Sequence, residues 1–149
     1  MNALTASADS FHCTLPRDLR PLAESLDWAS VVRRFGSTPG PLRLGSWSTR
    51  AARGGRTTFD ATFGIGDAIH RASATSYGPI DAVTSMLYDA GFHLEILSFH
   101  QQPVAASDRI ATFVLCEFDG RREWAMAIED DGVTSSIRAI IVAANMLHG

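Results

Sequence analysis

RTTFDATFGI at residues 56–65, AIHRAS at 68–73 and GPIDAVTSMLYDAG at 78–91 form the stretch on which the fold turns. In its first part Thr57, Phe59, Ala61 and Phe63 alternate with polar or small neighbours. That period of two predicts a half-buried strand over Arg56 to Ile65. Ala68 to Ser73 reads as a short strand after it. Gly78-Pro79 then opens a helix, because proline suits the first helical position and Asp81 suits the positive N-terminal end. Ile80, Val83, Met86, Leu87 and Ala90 make its apolar stripe, and Gly91 stops it.

Upstream, Leu42 to Ala51 predicts a strand closed by a turn at Arg53-Gly54-Gly55. Downstream the same order returns. His93 to Gln102 predicts a strand that Pro103 ends. Arg109 to Phe118 is rich in β-formers, and the Asp119-Gly120 pair after it signals a hairpin into Arg122 to Ile128. Thr134 or Ser135 is expected to cap a last helix, with Ile137, Ile140, Ile141, Ala144 and Leu147 as its stripe. The chain thus reads strand-strand-strand-helix twice, an α+β arrangement repeated in topology and not in sequence.

Residues 1–41 differ from this pattern. They hold four of the six prolines, Pro16, Pro21, Pro39 and Pro41. Between them Glu24 to Phe35 predicts one short helix, with Leu26, Ala29, Val32 and Phe35 on one face and Gly36 as its stop. The expected division is an N-terminal arm over 1–41 and a folded domain over 42–149.

The 149 residues are enough for a core without metal or disulfides. Hydrophobic residues at 46% and charged ones at 19% exclude a disordered chain. No apolar run is long enough to span a membrane, and Met1 to Ser10 do not read as a secretion signal. A net charge of -3, with all 13 basic residues arginine, offers no basic block for nucleic acid. Two cysteines, Cys13 and Cys116, make no disulfide framework and fit a cytoplasmic setting.

Catalytic chemistry finds little support. No Gly-x-Ser-x-Gly elbow is present, and Cys116 in mid-strand reads as a small core residue. His93 and Glu95 share a strand face while His100 falls on the other. Neither they nor the acidic run Glu129-Asp130-Asp131 has the spacing of a metal loop. Gly64-Ile65-Gly66 begins a dinucleotide fingerprint but has Ile69 where the third glycine belongs. No cofactor and no metal is called for.

The starts of the two helices carry more. Gly78-Pro79-Ile80-Asp81-Ala82 and Asp131-Gly132-Val133-Thr134-Ser135-Ser136 each set an acidic residue beside small ones. A helix N-terminus offers free N–H groups and partial positive charge to a carboxylate, and an aspartate can receive an ammonium. Together they suit the head of an amino acid, with Ile80, Ile96, Phe99 and Ile110 as an apolar wall. The commoner use of such residues is plain capping by Asp81 and Asp131.

At these residues the sequence resembles the C-terminal regulatory domain of 2-isopropylmalate synthase, which citramalate synthases share. The likeness rests on Gly78-Pro79-Ile80-Asp81-Ala82, on Gly91, on the strand containing Leu97, and on Ser135-Ser136-x-Arg138-Ala139 with Ala144-Asn145. Trp124 matches a tryptophan of some actinobacterial members, and Trp28 to Leu44 resembles the subdomain that joins such a domain to its catalytic barrel. The resemblance spans about Thr57 to Leu147. It implies two βββα units related by a pseudo-two-fold, a homodimer, and an amino-acid effector, typically leucine, bound near the subunit interface to regulate leucine biosynthesis. Carried over by position, the ligand-binding residues are Ile80, Asp81, Ile96, Phe99, Pro103, Ile110, Thr112, Asp130 and Gly132. Ile110 is bulkier than the alanine of the leucine-sensing actinobacterial form, so another small metabolite, or none, stands beside leucine. A (β/α)₈ barrel needs about 250 residues and no His-x-His motif occurs. The expectation is therefore a stand-alone regulatory domain and not an enzyme, acting on a synthase catalytic subunit in trans. The alternative is a ligand-free dimerisation or protein-interaction domain of the same descent.

Overall fold

The computed structural model describes residues 12–36 and 39–149. Residues 1–11 of the expected arm, on which the reading of no secretion signal rests, lie outside the described residues, as do 37 and 38. Two short helices come first, α1 (Arg20–Ala23) and α2 (Trp28–Gly36). Then follow β1 (Leu42–Ala51), a 3₁₀ turn (Arg53–Gly55), β2 (Thr57–Ile65), β3 (Ala68–Ser76) and α3 (Pro79–Asp89). The second half has β4 (Glu95–Pro103), β5 (Ile110–Phe118), β6 (Arg121–Glu129) and α4 (Gly132–His148). Each half is an antiparallel sheet with its second strand in the middle, β1-β2-β3 and β4-β5-β6, followed by a helix. The α+β fold of two βββα units is therefore the observed one.

Local chemistry accounts for the joints. Asp119 and Gly120 both take positive φ, 52° and 79°, as a two-residue hairpin turn requires. Gly91 takes φ 94° just past α3. The first strand of each sheet also carries one extra residue against its partner. The register slips between Leu44 and Trp47 in β1 and between Ile96 and Ser98 in β4. In β1 the freed amide of Ser46 donates to Thr62 Oγ1 at 2.7 Å. A Cβ at Gly45 would strike that same hydroxyl, so the bulge needs glycine.

Several boundaries differ from expectation. β4 starts at Glu95, so His93 lies before the strand and shares no strand face with Glu95, and Pro103 is its last paired residue, opposite Ile110. β3 runs on to Ser76, held against β2 as far as Thr57. The predicted helix over Glu24 to Phe35 begins only at Trp28, as α2, and α1 lies before its expected start. A turn closes on Ala23, and α2 starts at Trp28 with Asp27 accepting from Ser30 N at 2.8 Å. Its buried residues are Val31 and Phe35, while Ala29 is exposed. Steps of three slip about 60° per step around a helix, so Leu26 and Phe35 cannot share a face; the real pair lies four apart. Finally, α4 is capped by Asp131, not by Thr134 or Ser135. Its carboxylate accepts from Thr134 N at 2.8 Å and Thr134 Oγ1 at 3.0 Å.

Two cores result. Phe59, Ala61 and Phe63 of β2 pack with Val83, Met86 and Leu87 of α3, with Ile137, Ile140 and Ala144 of α4, and with Val114 and Cys116 of β5. Every residue of the predicted α4 stripe is buried; of the predicted α3 stripe Ile80 is half-buried and Ala90, just past the helix, is exposed. The second core lies on the other face of the β4-β5-β6 sheet. There Ala111, Phe113, Trp124 and Met126 meet Leu15, Leu19, Ala23, Val31 and Phe35. The central strand β5 is covered on both faces, which explains the apolar run Phe113 to Cys116. Among the described residues the β1-β2-β3 sheet is covered on one face; its other side shows Ser48, Asp60, Arg71 and Ser73. The two ends of the domain are stitched together by Asn145, whose amide accepts from Leu42 N at 2.9 Å and donates to Leu42 O at 2.8 Å.

Candidate functional site

The start of α4 is a polar knot. Gln101 of β4 stands opposite Thr112 of β5. Its Nε2 reaches Thr112 Oγ1 at 3.0 Å, Gly132 O at 2.8 Å and Ser136 Oγ at 2.8 Å. Ser136 Oγ also donates to Gly132 O at 2.6 Å. Beneath it, Ser135 Oγ lies 2.7 Å from Thr112 Oγ1, 2.9 Å from Ala127 O and 3.1 Å from Ile110 O. Thr112 and Ser135 are fully buried, so their hydroxyls must be bonded, and here they are. The Asp131 cap holds that carboxyl below the usual carboxylate range, chiefly through the Thr134 amide and then its hydroxyl.

The start of α3 is built differently. Its N-cap is Gly78, which has no side chain to give the first turn. Ser76 Oγ bonds the Gly78 carbonyl at 2.7 Å and not the helix N–H groups. Asp81 sits exposed in the first turn, and among the described residues its carboxylate has no hydrogen bond or ion pair. Asp131 therefore caps its helix, and Asp81 does not. Ile80 beside it is half-buried against the first core.

Among the nine expected ligand residues, the knot joins Ile110, Thr112 and Gly132, through a carbonyl, a hydroxyl and a carbonyl respectively. Pro103 pairs with Ile110 at the end of β4. Ile96 and Phe99 lie on β4 on the same side as Gln101, Ile96 half-buried and Phe99 38% exposed. Asp130 is exposed at the start of the β6–α4 connection. Ile80 and Asp81 belong to the other βββα unit, and no hydrogen bond ties Asp81 to the α4 group among the described residues. Gln101 was not expected; a glutamine near a strand end carries no sequence signal of its own.

Other chemistry stays apart from these groups. Burial pushes the Cys116 thiol up to about 12. His93 stacks on Tyr88 with ring centroids 3.9 Å apart, while His100 tilts toward Trp124 of the second core at 6.3 Å. His93 and His100 thus have separate surroundings. No group of three His, Cys, Asp or Glu residues among those described is placed to hold a metal. No helix among them is long and apolar enough to cross a membrane.

Two βββα units with the same strand order, the second closed by a Ser-Ser helix start, define a duplicated domain of the regulatory type. The chain belongs to the LeuA allosteric (dimerisation) domain family, whose model matches residues 26–148. It is 33% identical over 108 residues to the 2-isopropylmalate synthase of Clavibacter sepedonicus, covering 71% of this chain and 18% of that enzyme. Against the 2-isopropylmalate synthase of Leifsonia xyli subsp. xyli (strain CTCB07) the identity is 32% with the same coverage. Against that of Arthrobacter sp. (strain FB24) it is 31%, covering 71% of this chain and 19% of the enzyme. The chain spans under a fifth of the length of these relatives, and the match falls on the allosteric domain.

Proposed function

We propose that this domain binds an amino acid or a related small metabolite at the interface between two copies of itself, and so regulates a synthase. The observation that carries the reading is the start of α3. Among the described residues its N–H groups have no side-chain cap and Asp81 beside them has no partner. A bound amino acid supplies what each lacks: a carboxylate for the N–H groups and an ammonium for Asp81. Ile80, Ile96 and Phe99 form the apolar wall, and Pro103, Ile110, Thr112, Asp130 and Gly132 complete the site from the α4 side of a neighbouring unit. In this reading residues 42–149 are the regulatory domain and 1–41 its arm. The protein is cytoplasmic, is itself not an enzyme, and acts on a synthase catalytic subunit. An effector biases that partner only as far as it prefers one arrangement of the dimer over another.

Calorimetry with leucine and the other aliphatic amino acids tests this, beside sedimentation of the same samples. Asp81→Ala should weaken the bound amino acid at least about tenfold, the loss of a charge-assisted contact. Equal affinity in the variant would sink the head-group site. A second reading, a ligand-free dimerisation domain, draws on the α4 knot, where Gln101 already occupies the Thr112, Ser136 and Gly132 groups. A dimer that binds none of the amino acids would favour it.

A further inference from the structure

Gln101 sits among the residues expected to hold the effector. Phe99, Gln101 and Pro103 alternate along one face of β4 and stand opposite Val114, Thr112 and Ile110 of β5. Gln101 thus lies between two of the nine expected residues on its own strand. It lies across from a third, Thr112, with Ile110 on the diagonal. A Cβ at Gly132 would come within 3.1 Å of both Nε2 and Oε1, so the amide lies against the first residue of α4. The orientation of that amide is fixed. Gly132 O can only accept, so the nitrogen is the atom that faces it, at 2.8 Å. The same nitrogen lies 3.0 Å from Thr112 Oγ1 and 2.8 Å from Ser136 Oγ. The oxygen is left over. Among the described residues Oε1 has no hydrogen-bond partner. Trp47 Nε1 is the one buried side-chain atom without a partner among them, so Oε1 is reachable from outside.

An amide held by its nitrogen presents its oxygen as a fixed acceptor. A molecule seated on Phe99, Pro103 and Ile110 meets that oxygen, and covering it unpaired costs more than leaving it to water. The acids at this end do not make a cation site of it. Glu129 is held by Arg138 at 2.8 Å and Asp131 by Thr134, while Asp130 between them is exposed. We infer that the effector is an amino acid whose side chain ends in a neutral hydrogen-bond donor, a hydroxyl or a primary amide, and that Gln101 Oε1 receives it. The inference rests on the amino-acid reading above: the head group stays at Asp81 and the start of α3, and the tail reaches the α4 side, where Gln101 stands. Gln101 is then the residue that sets specificity. An aliphatic tail such as leucine's fills the same wall but leaves Oε1 covered and unpaired. A site built to bond a polar group rejects the analogue that lacks it in this way.

The test is calorimetry of the full chain with asparagine against leucine, glutamine against methionine, and threonine against valine. Each pair is similar in shape, and one member carries the donor. The tightest of the donor-bearing three should bind at least about tenfold more tightly than its apolar counterpart, the effect of one hydrogen bond made rather than left open. Gln101→Met keeps the length of the side chain and removes the acceptor. It should erase or reverse that ratio, with a melting curve showing that the variant folds. The ratio on the unaltered chain decides the matter where the variant does not fold. Asp81→Ala should weaken both members of a pair alike, because the head group is common to them. Apolar members binding as tightly as their counterparts would overturn the inference and leave the Asp81 site standing. So would a ratio unchanged in folded Gln101→Met. Lysine binding more tightly than asparagine, glutamine and threonine would also overturn it, in favour of Asp130 as the group that receives the tail. Failure of every amino acid to bind would overturn the amino-acid reading itself, and this inference with it.

Discussion

The side-chain amide of Asn145 does for Leu42 what a neighbouring strand would do, accepting from its N–H and donating to its carbonyl. Both groups are buried, and α4 is thereby tied to β1 across the whole domain. Asn145→Ala leaves the two backbone groups without partners. It should cost about 2–4 kcal/mol and lower Tm by about 5–12 °C. Gly40→Ala, whose new methyl would collide with the Asn145 side chain, should show a loss of the same sign. A melting scan of the two variants checks both.

Asp131 supplies a pH dependence whose sign is fixed. Its carboxyl is held below its ordinary range in the folded chain, so the native state binds fewer protons than the unfolded one near that range. Its contribution is therefore fully present above the unfolded pKa and is lost as the pH falls through the folded value. Asp131→Ala should cost about 1 kcal/mol near neutrality, as loss of an N-cap does. Urea unfolding at a series of acidic pH values should show that cost shrink as the cap protonates.

The thiols should be quiet. Burial pushes Cys13 up to about 11 and Cys116 up to about 12, so neither is appreciably a thiolate at pH 8. Cys116 should react with a thiol reagent only at the rate of unfolding, and the half-buried Cys13 faster than that but well below a free thiol. Time-resolved labelling with mass analysis separates the two. Prompt labelling of Cys116 in the folded protein would contradict its place in the core.

The N-terminal helices are structural and not a tether. Leu19 is wholly buried against the second core, so Leu19→Ala should cost about 2–5 kcal/mol. Ala29 is exposed, and Ala29→Ser should change stability by less than about 0.5 kcal/mol. Chemical denaturation of the two variants reads the difference, which also decides which face of α2 is seated.

Much of this was legible in the residues. The alternation through Thr57, Phe59, Ala61 and Phe63 marks β2 because one face is buried and the other open. Pro79 and Gly91 bracket α3 because each has a backbone preference that acts alone. What could not be read is what depends on distant partners. Val31 rather than Ala29 is buried because β5 and β6 lie beneath it. The bulge at Gly45-Ser46 depends on Thr62 across the strand. Gln101 acquires its role only when β4 meets the start of α4. The effector residues are legible only as a pattern shared with a family, since an isoleucine in a site and one in a wall look alike in sequence.

The order of synthesis puts the arm at odds with its place in the fold. Leu19, Val31 and Phe35 leave the ribosome well before Phe113, Trp124 and Met126, the residues that cover them. During elongation this apolar stretch has no surface to settle on until the second sheet is made. The nascent chain must carry these apolar side chains unshielded until the second sheet exists.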